Sequence, residues 1–225
     1  MIKLCIFDLD GTILDTLSAI AYFGNNALTK CRFPAIDETH YKYFAGDGRI
    51  ILVHRMLEFL GADTPQNHKK VGDLYDLEYE KAPNFKTAPF DGIPDLLAEL
   101  KNMGIKIAVL SNKPDNVAQE AVKIFFGDIF DFVEGAVNNV RSKPEPVVAL
   151  KICKKFGISP NETLFIGDTN IDILTGKNAN MQTVGVLWGF RGKQELLENG
   201  ADYIVSEPLE ILAIVQNKMR ENKRK

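Results

Sequence analysis

The stretch Cys5–Thr16, "CIFDLDGTILDT", joins an apolar, strand-like run to two aspartates, Asp8 and Asp10, and then to a glycine. Burying an unpaired carboxylate is costly, so two of them at the end of a buried strand read as groups kept there for chemistry. Side chains two apart share one face of a strand, and the chain has to leave extended geometry at Gly11 for the second acid to swing round. Three further runs have the same character: "IKIAVLS" from Ile105, "TLFIGD" from Thr163 and "QTVGVLW" from Gln182. Each is rich in Ile, Val, Leu or Phe and is bounded by Gly, Asp or Asn, as expected of buried strands.

Amphipathic segments of helical length separate these runs. They are "IPDLLAELKNMG" with Pro94 in its first turn and Gly104 at its end, "KPDNVAQEAVKIFFG", "KPEPVVALKICKKFG" and "NIDILTGKNAN". Strand and helix in repeated alternation predict an α/β fold: a parallel, Rossmann-like sheet with helices on both faces. Residues 17 to 85 break the alternation. They offer no convincing strand but several helical patterns, among them "TLSAIAYFGNNALTK", "GRIILVHRMLEFLG" and "TPQNHKKVGDLYDLEYEK". The expected organisation is therefore a core of residues 1–15 and 86–225 with a helical domain, 16–85, inserted after the first strand. Linkers are expected near Asp15–Leu17 and Ala82–Pro89.

Composition narrows the function classes. The 225 residues are 45% apolar and 25% charged, and the formal net charge of −3 provides no basic footprint for nucleic acid. Cys5, Cys31 and Cys153 stand far apart, in no metal-ligand spacing and in odd number, which predicts free thiols in a reducing compartment. With no leader-like start and no run long enough to span a bilayer, the expectation is a cytoplasmic protein without a membrane partner. The basic tail "NKMRENKRK" reads as a solvated helix end.

In a parallel sheet, ligands bind beyond the carboxyl ends of the strands. There the sequence places Asp8-Leu9-Asp10-Gly11-Thr12, Ser111-Asn112-Lys113 and Gly167-Asp168-Thr169-Asn170-Ile171-Asp172, with Lys143-Pro144 opening another helix. Carboxylates that close together need a cation, and with oxygen ligands only the suitable ion is hard and divalent, Mg²⁺ first. A carboxylate facing such an ion and a lysine can attack a phosphoryl group, and a second acid can move the protons.

The motifs "FDLDGTILDT", "LSNK", "RSKPEP" and "GDTNID", in this order and spanning the chain, resemble those of the haloacid dehalogenase-like hydrolase superfamily. The resemblance implies a modified Rossmann core with a helical cap inserted after the first motif, and a Mg²⁺ cofactor. It implies Asp8 as nucleophile and metal ligand, and Asp10 as general acid and base that also offers Mg²⁺ its backbone carbonyl. Asp168 becomes a metal ligand, Ser111, Asn112 and Lys143 hold the phosphate, and Asp172 supports the acidic cluster. Asp10, Asp168 and Asp172 together speak against carbon–halogen chemistry and for phosphoryl transfer.

Within that branch the cap stretch "FAGDGRIILVHRML" and the C-terminal "VGVLWGFRGKQELLENGADYIVSEPLEIL" resemble phosphoglycolate phosphatases and several paralogous phosphatases. Gly46, Asp47, Gly48 and Arg49 form the candidate specificity loop, with Arg49 able to pair with a small carboxylate. The expected partner is a small phosphorylated metabolite, phosphoglycolate first, handled by a monomer or homodimer. Sugar phosphates, nucleotides and pyrophosphate stay open as substrates, as do a phosphosugar mutase and a non-catalytic binding protein on the same fold. His54 reads as a packed or surface residue, and Tyr22, Tyr43 and Phe44 as cap core. Trp188 either lines the mouth of the site or packs.

Overall fold

The computed structural model describes residues 1–137 and 143–223, with side chains to 220. Arg141 and Ser142 of the "RSKPEP" stretch, and the last two residues of the basic tail, lie outside the described residues.

Six parallel strands form the main sheet: β1 (Leu4–Phe7), β4 (Lys106–Pro114), β5 (Phe132–Ala136), β6 (Thr163–Gly167), β7 (Gln182–Val186) and β8 (Tyr203–Val205). Their order is β5-β4-β1-β6-β7-β8, so β1 lies inside the sheet with β4 and β6 as its neighbours. Alternate residues of these strands enter opposite layers. Cys5, Phe7, Ile107, Val109, Leu164 and Ile166 pack into one apolar cluster, while Leu4, Ile6, Ala108, Leu110 and Phe165 pack into the other. Both faces are buried, which is why the strands read as continuous apolar runs. The Leu, Ile, Val and Phe side chains among them each contribute about 1.5–3 kcal/mol through burial.

Helices α5 (Ile93–Asn102), α6 (Asp115–Phe126) and α10 (Leu209–Lys223) cover the first layer. Helix α7 (Val147–Phe156) covers the second, and α8 (Asn170–Asn178) packs along β6 and β7. A short helix, α9 (Lys193–Glu198), connects β7 to β8.

Four helices fill the inserted segment: α1 (Leu17–Lys30), α2 (Glu38–Phe44), α3 (Arg49–Phe59) and α4 (Pro65–Lys81). They have an apolar cluster of their own, built on residues such as Phe23, Tyr41, Val53, Met56 and Tyr75, to which Phe190 from the loop after β7 is added. Two of the expected cap-core aromatics are corrected here: Tyr22 and Tyr43 are 42% and 65% exposed. Each precedes a buried Phe by one position, about 100° round the helix, so both cannot face inward. The inward pair on α2 is Tyr41 and Phe44. Tyr22 lies against Phe85 and Tyr43 under the Arg191 guanidinium.

The stretches expected to act as linkers pair with each other. Leu14–Asp15 (β2) and Ala88–Pro89 (β3) make a two-stranded antiparallel ribbon at the point where the chain leaves and re-enters the core. No helix among the described residues is long and apolar enough to cross a membrane.

Candidate active site

The carboxyl ends of β1, β4 and β6 converge. Asp8 follows β1 directly, and Gly11 turns the chain with a φ of +87°, which an L side chain rarely adopts. A Cβ at Gly11 would stand 2.3 Å from Asp168 Oδ2, so this glycine supplies both the turn and the space for the acid after β6.

The centre of the cluster is Lys143. Its Nζ donates to Asp8 Oδ1 and to Asp172 Oδ1, each at 2.6 Å, and the side chain is 1% exposed. Burial alone would lower this ammonium's pKa, but Asp172 and Asp8 beside it hold it above the ordinary lysine value. The lysine is set from behind by Asn112, whose Oδ1 accepts from the Lys143 backbone N–H at 3.1 Å and whose Nδ2 donates to the Lys143 carbonyl at 3.3 Å. Asp172 is fixed at the start of α8, where its Oδ2 accepts from the Thr169 backbone N–H and hydroxyl at 3.0 and 2.7 Å.

Asp168 accepts from the Thr12 hydroxyl at 2.8 Å and from the Phe190 N–H at 2.8 Å. Burial, then the charge of Asp172, nevertheless push its pKa up to about 7. Asp8 is driven well above the carboxylate range by burial first and Asp172 next, against the opposing pull of Lys143. One carboxylate oxygen from each of Asp8, Asp168 and Asp172 lies within 4.8 Å of the others. Three buried acids facing one lysine, two of them raised, form an oxygen-only donor set whose negative charge the single ammonium does not balance. A hard divalent cation fits it.

Asp10 stands apart from this cluster. Its two oxygens accept from Lys113 Nζ at 2.9 and 3.2 Å. Lys113 lies at the end of β4, 7% exposed, with its Nζ 5.0 Å from the Tyr79 ring of α4. Lys113 follows Ser111-Asn112 in the sequence, and its signal there is the need of the second strand-end acid, Asp10, for a cation of its own. Ser111 is buried at the same strand end, its Oγ accepting from the Lys113 backbone N–H at 3.2 Å.

A pocket of about 290 Å³ opens from Asp8, Asp10 and Ser111 toward the helical segment. Gly46, Gly48 and Arg49 line it, and Arg49 is the first residue of α3. Asp47 does not line this pocket: it pairs with Arg55 at 2.9 Å and borders a second, smaller cavity. Tyr75, Asp76, Tyr79 and Glu80 of α4 complete the far wall. Their two i, i+4 pairs in "YDLEYE" were the available sequence sign. His54 is a surface residue paired with Asp63 at 2.7 Å. Trp188 packs against the core, and its Nε1 donates to the Thr12 carbonyl at 2.9 Å.

The family model of haloacid dehalogenase-like hydrolases matches residues 5–186. The chain belongs to this family. A phosphoglycolate phosphatase of Mannheimia succiniciproducens is 29% identical over 222 residues, spanning 95% of this chain and 98% of that relative. A phosphoglycolate phosphatase of Psychrobacter arcticus is 33% identical over 207 residues, 86% of this chain and 87% of its own. Among solved structures, a candidate phosphoglycolate phosphatase from Lactobacillus delbrueckii subsp. bulgaricus superposes with a TM-score of 0.91 at 31% identity, covering 95% of this chain and 98% of that one. Within the haloacid dehalogenase-like family this chain is a phosphatase.

Proposed function

We propose that the chain is a Mg²⁺-dependent phosphomonoester hydrolase that works through an aspartyl-phosphate on Asp8. The observation that carries this reading is the Asp8–Lys143–Asp172 arrangement beside Asp168, at the mouth of a pocket and at the carboxyl edge of a parallel sheet. Asp8 and Asp168 would hold the ion, with the Asp10 backbone carbonyl, while Asp172 keeps Lys143 in place. When bound, the cation neutralises the charge of the phosphoryl oxygens.

The chain's own groups account for the rest. Lys143 Nζ and the Ser111 hydroxyl bind the phosphate, and Asn112 holds the lysine at that position. An Asp8 carboxylate oxygen attacks phosphorus and displaces the substrate alkoxide, forming an acyl phosphate. Asp10 delivers a proton to the departing oxygen, then takes one from the water that hydrolyses the acyl phosphate and returns Asp8. For either transfer Asp10 has to leave Lys113, a side-chain rotation within the pocket.

Residues 16–85 act in this reading as a cap that excludes water and selects the substrate. Phosphoglycolate, the substrate in the relatives' names, is the first candidate. Arg49 is the pocket cation of the cap segment able to meet its carboxylate. The test is phosphate release from phosphoglycolate, sugar phosphates, nucleotides and pyrophosphate with and without Mg²⁺. Metal-dependent release from a small monoester, with phosphoglycolate highest in kcat/KM, is expected. Release independent of metal, or conversion of one sugar phosphate into another, contradicts the reading.

A further inference from the structure

The far wall of the pocket carries an ion pair between α3 and α4. Arg49 Nη2 lies 2.7 Å from Asp76 Oδ2. The guanidinium rests across α4 where Gly72 leaves room: a Cβ at that position would stand 2.7 Å from Arg49 Nη1. Gly72 precedes Asp76 by one helical turn, so seat and counter-ion lie on one face of α4. The pairing is incomplete, because Arg49 Nε is buried with no hydrogen-bond partner among the described residues. Glu80, a turn beyond Asp76, lines the same wall. Burial raises the Asp76 carboxyl, Arg49 opposes that, and Glu80 adds to it. One guanidinium thus shares the wall with two carboxylates, Asp76 which it touches and Glu80 beside Asp76.

A phosphomonoester whose far end is neutral and hydroxylated can donate to these carboxylates and accept from the Arg49 N–H groups. One that ends in a carboxylate meets an arginine already engaged, and has to displace Asp76 or sit beside it against like charge. The Asp76 side chain is 40% exposed and has solvent to move into. We propose that Asp76 is a specificity-determining residue: by holding the Arg49 guanidinium it limits how tightly carboxylate-bearing monoesters bind. This rests on the phosphomonoesterase reading of the same site.

The experiment compares kcat/KM for phosphoglycolate and for glycerol 1-phosphate at saturating Mg²⁺, using the full chain. Wild type, Asp76→Asn and Arg49→Ala are measured with the double variant, and Asp76→Ser stands in should the Asn form fold poorly. Asp76→Asn is expected to raise the phosphoglycolate to glycerol 1-phosphate ratio by about tenfold, mainly through the KM of phosphoglycolate. Made on the Arg49→Ala background, the same change is expected to give a clearly smaller rise, since it then relieves like charge alone and frees no guanidinium. A ratio that stays level or falls, or an equal rise without Arg49, overturns the proposal. If wild type hydrolyses glycerol 1-phosphate and not phosphoglycolate, and Asp76→Asn gains phosphoglycolate, the proposal stands and phosphoglycolate is lost as the natural substrate. Absence of hydrolysis of any monoester overturns both.

Discussion

Lys143 shows at the residue scale how burial and charge divide the work of the site. Its ammonium holds Asp8 and Asp172, while Asp168 is left to hydrogen bonds from Thr12 and Phe190. Asp8→Asn keeps the shape and removes the proposed nucleophile, so turnover is expected to vanish while circular dichroism stays native; retained activity contradicts the assignment. Asp10→Asn is expected to slow turnover by roughly 10²- to 10⁴-fold, and a near-native rate rules it out as the acid. The raised carboxyls also predict a pH dependence of stability. Between the ordinary carboxylate pKa of about 4 and the value of about 7 at Asp168, the folded chain binds more protons than the unfolded one. Stability of the metal-free protein should therefore fall as pH rises through that window, and Mg²⁺ should offset the loss by binding the ionised forms. Thermal midpoints measured from acid to neutral pH, with and without Mg²⁺, check this; a metal-free midpoint that rises across the window contradicts it.

The elements were legible where burial left a strong pattern. β1, β4 and β6 are apolar on both faces and β7 has Val184 and Val186 in the core, so all four stood out as runs, and α1, α3 and α4 showed in their periodicity. β5 has Glu134 and Gly135 in its five residues and lies at an edge, and β8 is three residues long, so neither left a pattern above its surroundings. The β2–β3 ribbon was invisible because its pairing depends on two segments far apart in sequence. Within the site the strand-end acids, Ser111 and Lys143 could be read from the sequence. The destination of the Asp10 carboxylate could not, since it needs Lys113 from β4 and Tyr79 from α4 to meet. The ribbon belongs to this scale too. Pro89→Gly loosens the chain where it re-enters the core, and should lower kcat/KM by about 2- to 10-fold with kcat and KM changing together. Steady-state kinetics on an aryl phosphate would show it, and unchanged constants would separate the ribbon from turnover.

Across the whole molecule the core carries the acid cluster and the helical segment supplies one wall of the pocket, and a few polar groups join them. Arg191 Nη2 donates to the Ala45 carbonyl at 2.9 Å, Asn112 Nδ2 to the Gly46 carbonyl at 3.4 Å, and Phe190 packs in the helical cluster while its N–H holds Asp168. Asn112 and Phe190 thus touch both the acid-and-lysine cluster and the helical segment, and the pocket is lined from both parts. The proposed mechanism requires a covalent phosphoryl group at Asp8. In Asp10→Asn, quenched in acid within one turnover and reduced with borohydride, peptide mapping should find the modified residue at Asp8, with none in a parallel Asp8→Asn sample. Turnover by the wild type with no trapped phosphoryl group, or modification at another residue, would contradict it.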